Sequence, residues 1–518
     1  MHNGPLDILF ISPRNESLGP FRPFVPRSIP IGAAVLAGWL MRHGFQAAVA
    51  DEDIVSIDRA FLEERIGKMA VPRIFGISAM TTNFRRACGI ASLIKSVDKN
   101  AVVVMGGIHP TVRPEEALAA GGVDFVVRGE GERALLALIR KLKAGAGGYD
   151  DIKGLAYRDK TGKPVFNPEE DSVFDLNELP PFPYGLFESG GYDLGFLLTS
   201  RGCPFDCIFC SQKLISKRRY RGLRTGTVIE ELDRLVNRFG QKRVSFFDDC
   251  FTSDRERVFG LCAEIRRRGL HRKCSFAAQT RGDSVDRELL EEMRRSGFDG
   301  LMFGFETASE GLMSAIGKNE TVGQNAAAAR LARELGFTVE TTFIFGLPGE
   351  KYRDRLEALY MARELADRAR FNNAAPYPGT GLYEIAVRER RLDMRGGWEG
   401  FSSAGAVTAG VFDGYRVPYC PEGTEPADLE GEVFLANLLF YLDPGNLKKL
   451  LNMKGAVSGK WFELPAGALR APCRWPALFR LALSICLRCA YALARSGESR
   501  KFLAEGLFKK RDGKPRDG

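Results

Sequence analysis

Cys203, Cys207 and Cys210 stand in a C-x-x-x-C-x-x-C spacing between Arg201 and Gln212. Three thiolates on one short loop hold three irons of a 4Fe–4S cube, where four cysteines are the usual complement. The fourth iron is then left to a ligand that is not protein. An open metal position marks a catalytic centre rather than a structural one, by the logic that holds for zinc. A zinc loop would pair two short cysteine knuckles, and no second knuckle lies nearby in the sequence. A disulfide pair would suit a secreted chain. The eleven cysteines, and a strand-like run at 6–11 where a cleavable leader would lie, lead to the expectation of a reducing cytoplasm. Phe209, one residue before Cys210, is placed to shield a cluster from water.

Such a loop must hang from something rigid. The apolar run 197–199 reads as a strand leading into it. Strand-like runs recur at 196–199, 244–247, 275–278, 301–305, 339–345 and 371–375, with helical patterns such as 227–239 and 286–296 between them. Six strand–helix units give a partial barrel, and catalytic residues then belong where the strands end, on one rim. The chain puts Asp248, Asp249, Arg281, Glu306, Gly346 and Tyr377 at those ends. Each also has a structural reading. The two aspartates could cap the next helix, Arg281 could pair with Asp283 or Asp286, and Glu306 could complement a helix dipole. Gly346 allows a close backbone approach, and Tyr377 either lines substrate space or packs.

Residues 1–145 repeat the pattern, with strands expected at 8–11, 74–78, 102–105 and 125–127 and helices at 33–42, 59–68, 85–97 and 132–143. That alternation predicts a parallel sheet covered on both faces, with ligands beyond the carboxyl ends of its strands. Small residues gather there, around Ser78 and Thr81, at Gly106 and Gly107, and at Glu130 and Gly131. Residues 146–190 read as a linker containing a hairpin from 152–158 to 164–166. Residues 400–518 read as a mostly helical cap over the barrel mouth.

The net charge of +9 is concentrated in the tail, where residues 446–518 carry 16 Lys and Arg against 5 Asp and Glu. The catalytic regions are close to neutral, which argues against a basic channel for nucleic acid. The stretch from Lys213 to Arg224 has six basic residues and no acid, and reads as a solvated or ion-pairing segment. Within 477–495, Arg480, Arg488 and Arg495 share one sector of a helix. That helix either lies on an anionic membrane or packs on the protein's own core; its charges rule against a transmembrane span. Cys420 reads as inert, Cys486 and Cys489 as core packing. Phe21 and Phe24, in a Pro-rich stretch, are candidates for a substrate entrance.

The cysteine loop resembles the signature of the radical S-adenosylmethionine (SAM) enzymes, C-x-x-x-C-x-aromatic-C, on Cys203, Cys207, Phe209 and Cys210. The resemblance implies that the amino and carboxylate groups of SAM chelate the open iron of a 4Fe–4S cluster. It also implies a one-electron donor of the flavodoxin or ferredoxin type, and cleavage of SAM to a 5′-deoxyadenosyl radical that takes a hydrogen atom from substrate. Asp248 is then placed for the SAM amino group, Arg281 for its carboxylate, Glu306 for a polar or ribose contact, and Gly346 in a loop facing adenine.

The N-terminal loops are similar to the GGxHPT-like and GEGE-like loops of the cobalamin-binding domain that precedes one large radical SAM class. That likeness implies corrin contacts from Ser78, Thr81, Gly106, Gly107, Glu130 and Gly131. One departure stands out. The Asp-x-His-x-x-Gly motif that puts histidine beneath cobalt in cobalamin mutases is absent. His43 reads as a helix C-terminal residue and His109 as ordering the Gly-Gly turn, so cobalt is expected to lack a protein histidine.

The fold expected is α/β: a Rossmann-like cobalamin-binding domain over 1–145, a linker over 146–190, a partial (β/α)6 TIM-type barrel over 191–399, and a mostly helical C-terminal region with a basic tail over 400–518. The function implied is that of a cobalamin-dependent radical SAM enzyme transferring a methyl group to an unactivated carbon or to phosphorus through methylcobalamin. Its substrate would be a small or lipid-like molecule and not nucleic acid. Two other readings stay open: a radical oxidoreductase or cyclase of the anaerobic tetrapyrrole type, and a cobalamin or iron–sulfur sensor without catalysis.

Overall fold

Alternating apolar residues become two parallel sheets. The computed structural model describes residues 4–15, 27–170, 174–188, 191–410, 413–446 and 475–508. Phe21 and Phe24 lie outside the described residues. In the first sheet the parallel strands run in the order Ala47–Asp51, Leu6–Ser12, Met69–Ser78, Val102–Gly106 and Phe125–Val127. Successive side chains of a strand point to opposite faces, so Ile8 and Phe10 join one apolar cluster while Leu9 and Ile11 join the other. Helices Ile31–Arg42 and Glu132–Lys143 cover the first face, and Phe84–Val97 the second. His43 ends the helix Ile31–Arg42, its Nδ1 2.9 Å from the Trp39 carbonyl oxygen.

Two features of this sheet differ from expectation. Ala47–Asp51 forms an edge strand that the sequence reading passes over, because three alanines are a weak strand signal. The hairpin Leu155–Arg158 with Pro164–Phe166 pairs antiparallel onto Phe125–Val127 and finishes the sheet, rather than standing apart in a linker.

The second sheet takes Phe196–Leu197, Arg243–Phe246, Ser275–Thr280, Phe298–Glu306, Thr338–Phe345 and Arg368–Asn373 in chain order, all parallel. Six sequential parallel strands make the expected open barrel. An open sheet leaves an edge of unpaired backbone groups. Here the helix Pro426–Leu442 covers it. Asn437 donates to the Phe371 carbonyl at 2.8 Å and accepts from the Phe371 N–H at 3.2 Å, so one side-chain amide stands in for a missing strand. Tyr441 adds a bond to the Ala369 carbonyl at 2.9 Å.

The C-terminal region is helical, as expected, but its helices buttress the barrel's last strand instead of only capping the mouth. Arg488 turns inward, over the Phe434 ring at 5.6 Å, and Arg495 meets Tyr491 at 2.6 Å. The three arginines of this helix therefore do not form one outward basic face. Cys489 packs partly against the core, while Cys486 is exposed, contrary to its core reading. Cys420 is buried, its thiol 3.1 Å from the Thr424 carbonyl and pushed up to about 12 by burial. Among the described residues no helix is long and apolar enough to cross a membrane.

Candidate active site

The cysteine loop runs from the short strand Ser200–Arg201 to the helix Gln212–Ser216, just beyond the carboxyl ends of the first two barrel strands. Gly202 opens it at φ 87°, where a Cβ would strike the Arg219 carbonyl. Its middle is clamped on both sides. Ile208 donates to the Ile316 carbonyl at 3.0 Å and accepts from the Leu382 N–H at 2.9 Å. Phe209, half-buried, packs against the apolar clusters that contain Leu347, Leu382 and Tyr419. All three cysteines are free and half-buried.

Burial pushes the Cys203 thiol up to about 11 and the Cys207 thiol up to about 12. Thiolates there require bound cations, which irons supply. Among the described residues no three His, Cys, Asp or Glu side chains are grouped to share one metal ion. A cubane asks for something else, one thiolate at each of three corners. The loop therefore fits a cluster in its donors and its clamped backbone.

Asp248 has a different place from the one expected. It is 1 % exposed, and its carboxylate accepts from the Thr199 and Ser200 N–H groups at 2.6 and 2.9 Å and from the Thr199 hydroxyl. Its oxygens anchor the chain where it leaves the first strand and do not face a ligand. Asp249 holds the next turn, accepting from Gly202 N–H at 3.0 Å and from Gln212 Nε2 at 2.8 Å.

Arg281 and Glu306 belong to one buried ion network under the loop. Arg281 forks onto Asp283 at 2.8 and 2.7 Å, donates to the Lys318 carbonyl at 2.7 Å, and lies 3.5 Å from the centre of the Phe205 ring within the cysteine loop. The pairing with Asp283 is therefore real, but buried rather than on the surface. Lys318 Nζ lies 3.2 Å from Glu306 and 2.8 Å from Glu320, and also reaches the Gly304 carbonyl. Burial alone would push Lys318 down; Glu306 and Glu320 outweigh it and hold it above its ordinary value. Lys318, Glu306 and Arg281 are near enough for their charges to act on the Cys207 thiol.

Gly346 does not face open space. Its φ is 91°, and a Cβ would meet Leu429 of the covering helix at 2.7 Å. Its N–H is held by Glu350, which shares Arg355 with Glu432. The glycine serves the packing of that helix against the strand end, not an adenine-facing surface.

The other half of the site is a cavity of about 290 Å³ between the two sheets. Phe10, Gly76, Ser78, Gly106 and Gly107 wall it from the N-terminal strands, and Ser200, Gln212 and Asp249 from the barrel. Glu130 and Gly131 line it too. Gly107, at φ 104°, lies so close to Ala79 that a Cβ would hit the Ala79 carbonyl. Thr111 ties two of the loops, donating to the Gly107 carbonyl at 2.7 Å and accepting from the Gly129 N–H at 3.0 Å. An apolar slot with glycine walls and a polar rim, at the carboxyl ends of a parallel sheet, fits a large planar cofactor. No histidine lines the cavity among the described residues.

Thr81 lies elsewhere, in a separate small cavity beside His109. Glu130 borders the main cavity, but its carboxylate is tied to Arg221 at 2.5 Å and lies 3.6 Å from Arg201, while Arg201 reaches Glu132 at 2.7 Å. Burial would raise Glu130; the arginines prevail and hold it below the usual carboxylate range. The basic stretch from Lys213 to Arg224 is thus ion-paired, with Lys213 on Asp206 and Lys217 on Glu169 as well. Lys318 and Arg201 have no signal in the sequence alone, since the groups they meet are distant along the chain, whereas Thr111 closes the GGxHPT-like loop and could have been found there.

A family model described as the Radical SAM superfamily matches residues 197–362, and one described as a B12 binding domain matches residues 24–139. An uncharacterized methyltransferase of Pyrococcus horikoshii is 34% identical over 374 residues, 70% of this chain and 79% of that protein. The anaerobic magnesium-protoporphyrin IX monomethyl ester cyclase of Rubrivivax gelatinosus is 30% identical over 392 residues, 73% of this chain and 69% of that protein. Among solved structures, the radical SAM methyltransferase TsrM of Kitasatospora setae, with cobalamin and a 4Fe–4S cluster bound, superposes at a TM-score of 0.67. It is 20% identical and covers 86% of this chain and 90% of its own.

Proposed function

Because this chain belongs to the radical SAM enzymes that carry a B12-binding domain, we propose that it transfers a methyl group to an unactivated carbon or phosphorus centre. It is an enzyme of that family, with a 4Fe–4S cluster, SAM and cobalamin as its cofactors. A reading as a sensor without catalysis does not fit that membership. The single observation that supports methyl transfer best is the shared cavity. The glycine-walled slot reaches both ends of the cluster loop, with Ser200 and Arg201 before it and Gln212 after it lining the same cavity as Gly106 and Gly107.

When bound, the cluster supplies one-electron cleavage of SAM and the corrin supplies a carrier for its methyl group. The rest falls to the chain. Cys203, Cys207 and Cys210 hold three irons on a loop that Ile208 fixes at both faces. Phe205 and Phe209 keep water from it, one beneath Arg281 and one in the apolar cluster. Glu306, held by Lys318 and near enough to Cys207 for its charge to act on that thiol, would suit the polar groups of SAM. Arg281 reaches the same region, but with its fork already on Asp283 it acts on SAM through its remaining N–H groups and its charge. Ser78, Gly106 and Gly107 let the corrin approach the backbone closely. A small-molecule substrate and a one-electron donor complete the reaction.

Anaerobic incubation of the reconstituted enzyme with SAM and dithionite tests the proposal. S-adenosylhomocysteine and 5′-deoxyadenosine are expected together, the second lost on Cys207→Ala. Deoxyadenosine alone would favour the cyclase-type reading, which the relative at 30% identity supports. Neither product would overturn both.

A further inference from the structure

The helix Trp475–Arg495 is apolar on two opposite faces. One face packs on the enzyme, where Leu481 and Ala492 are buried and Ile485, Cys489 and Leu493 rest against the barrel's core. The opposite face carries Leu483, Cys486, Leu487, Ala490 and Ala494, all exposed. These five fall within a sector of about 100° at the helical repeat. Leu483 is 47 % exposed and Leu487 41 %. Between Leu481 and Ala494 no charged residue falls in that sector. The following helix, Gly497–Phe508, has the ordinary pattern, with Glu498, Arg500, Lys501 and Glu505 among its exposed positions. A surface helix turns charge outward, and one that is apolar on both sides has something to cover it.

The charge around the stripe identifies the cover. Arg480, Tyr491 and Arg495 border it on one side, all exposed, with Arg495 2.6 Å from the Tyr491 hydroxyl. Residues 446–518, which contain the helix, hold 16 Lys and Arg against 5 Asp and Glu. An apolar stripe rimmed by an aromatic and by arginines, in a region of excess positive charge, matches a surface that offers acyl chains beneath phosphates. A second copy of the same face would set like charge against like. The helix does not cross a bilayer, because its other face belongs to the barrel, and among the described residues none is long and apolar enough to span one.

We propose that this face docks the enzyme on an anionic lipid bilayer. Leu483 and Leu487 enter the boundary between headgroups and acyl chains, and the surrounding cations meet the lipid phosphates. The helix lies in the plane of the membrane as a peripheral contact. That contact is independent of what the enzyme methylates.

Co-sedimentation of the full chain, loaded with cluster and cobalamin, tests this. The vesicles are phosphatidylcholine alone, or phosphatidylcholine and phosphatidylglycerol in equal parts. Binding is expected on the mixed vesicles at low salt, and is expected to be roughly tenfold or more weaker on phosphatidylcholine alone or at high salt. Leu483→Glu combined with Leu487→Glu is expected to abolish it, with iron and cobalamin contents unchanged. Should that variant fail to load its cofactors, a nitroxide on the exposed Cys486 of the otherwise unaltered enzyme reads the same contact. Mixed vesicles are expected to shield the label from a water-soluble relaxing agent and open it to oxygen. Loaded enzyme that stays in the supernatant with mixed vesicles overturns the assignment. So does equal binding by the double variant, equal binding to phosphatidylcholine alone, or a label that vesicles leave unchanged. A dimer that the double variant dissociates would give the face to a second copy and overturn it too.

Discussion

Glu306 sits at φ 64°, a left-handed conformation uncommon for glutamate. It is tolerated because Lys318 holds its carboxylate, and because Gly304 leaves room that a Cβ would take from both side chains. Removing the cation should therefore do more than lose one contact. Lys318→Met leaves Glu306 and Glu320 buried without their lysine, a change of about 3–5 kcal/mol. A lowered urea midpoint and weakened SAM binding are expected; an unchanged SAM affinity would separate the network from the cofactor site. The cysteines were legible because their meaning lies in local spacing. Lys318 was not, because it meets Glu306 only after the strand end has turned. Asp248 was legible as a strand-end acid, but nothing in its neighbours announced that two backbone N–H groups would occupy it.

A second residue-scale expectation concerns pH. Burial pushes Glu350 up to about 8 and Glu432 up to about 7, with Arg355 the shared cation between them. One guanidinium balances one carboxylate, so the pair keeps a proton in the fold that the unfolded chain releases nearer its ordinary carboxylate range. The folded state thus binds more protons, and its stability should fall as pH rises from the carboxylate range through about 8. Thermal melting at about pH 6 and about pH 9 checks this. Glu350→Gln should flatten the difference, and a steep decline that persists in the variant would assign the loss to other groups.

At the scale of elements, the half-barrel's weak point is its open edge. Asn437 satisfies both backbone groups of Phe371 from the covering helix. Asn437→Leu keeps the volume and strands both groups, at a cost of about 1–3 kcal/mol. Hydrogen exchange at the Phe371 amide should accelerate strongly in that variant, and unchanged protection would mean that water or a neighbour replaces the amide. Most strands were readable because Val, Ile and Phe dominate them, as in Val102–Gly106 and Thr338–Phe345. Ala47–Asp51 was missed because its residues carry little strand preference and only pairing with Leu6–Ser12 makes it one. A glycine at a strand end suggests approach to a ligand, but the close neighbour of Gly346 is Leu429, a contact between elements far apart in sequence.

At the scale of the whole molecule, two sheets that the sequence presents as separate domains close on one cavity. Glu130 and Glu132 from one half meet Arg221 and Arg201 from the other at its rim. Trp398 crosses back from the barrel side to Glu116 at 2.7 Å, and Arg113 reaches Tyr383 at 2.7 Å. The domain order was legible in the glycine loops and the cysteine motif, whereas the ionic seam was not, because each charge lies about 70 or more residues from its partner. No histidine lines that cavity among the described residues, so a corrin held there would have no protein imidazole on its cobalt. Electron paramagnetic resonance of the cob(II)alamin-bound enzyme tests it most directly, comparing protein made with ordinary and isotope-labelled histidine. Stoichiometric binding and identical cobalt spectra are expected from the two preparations. A nitrogen splitting that changes with the histidine label would contradict it.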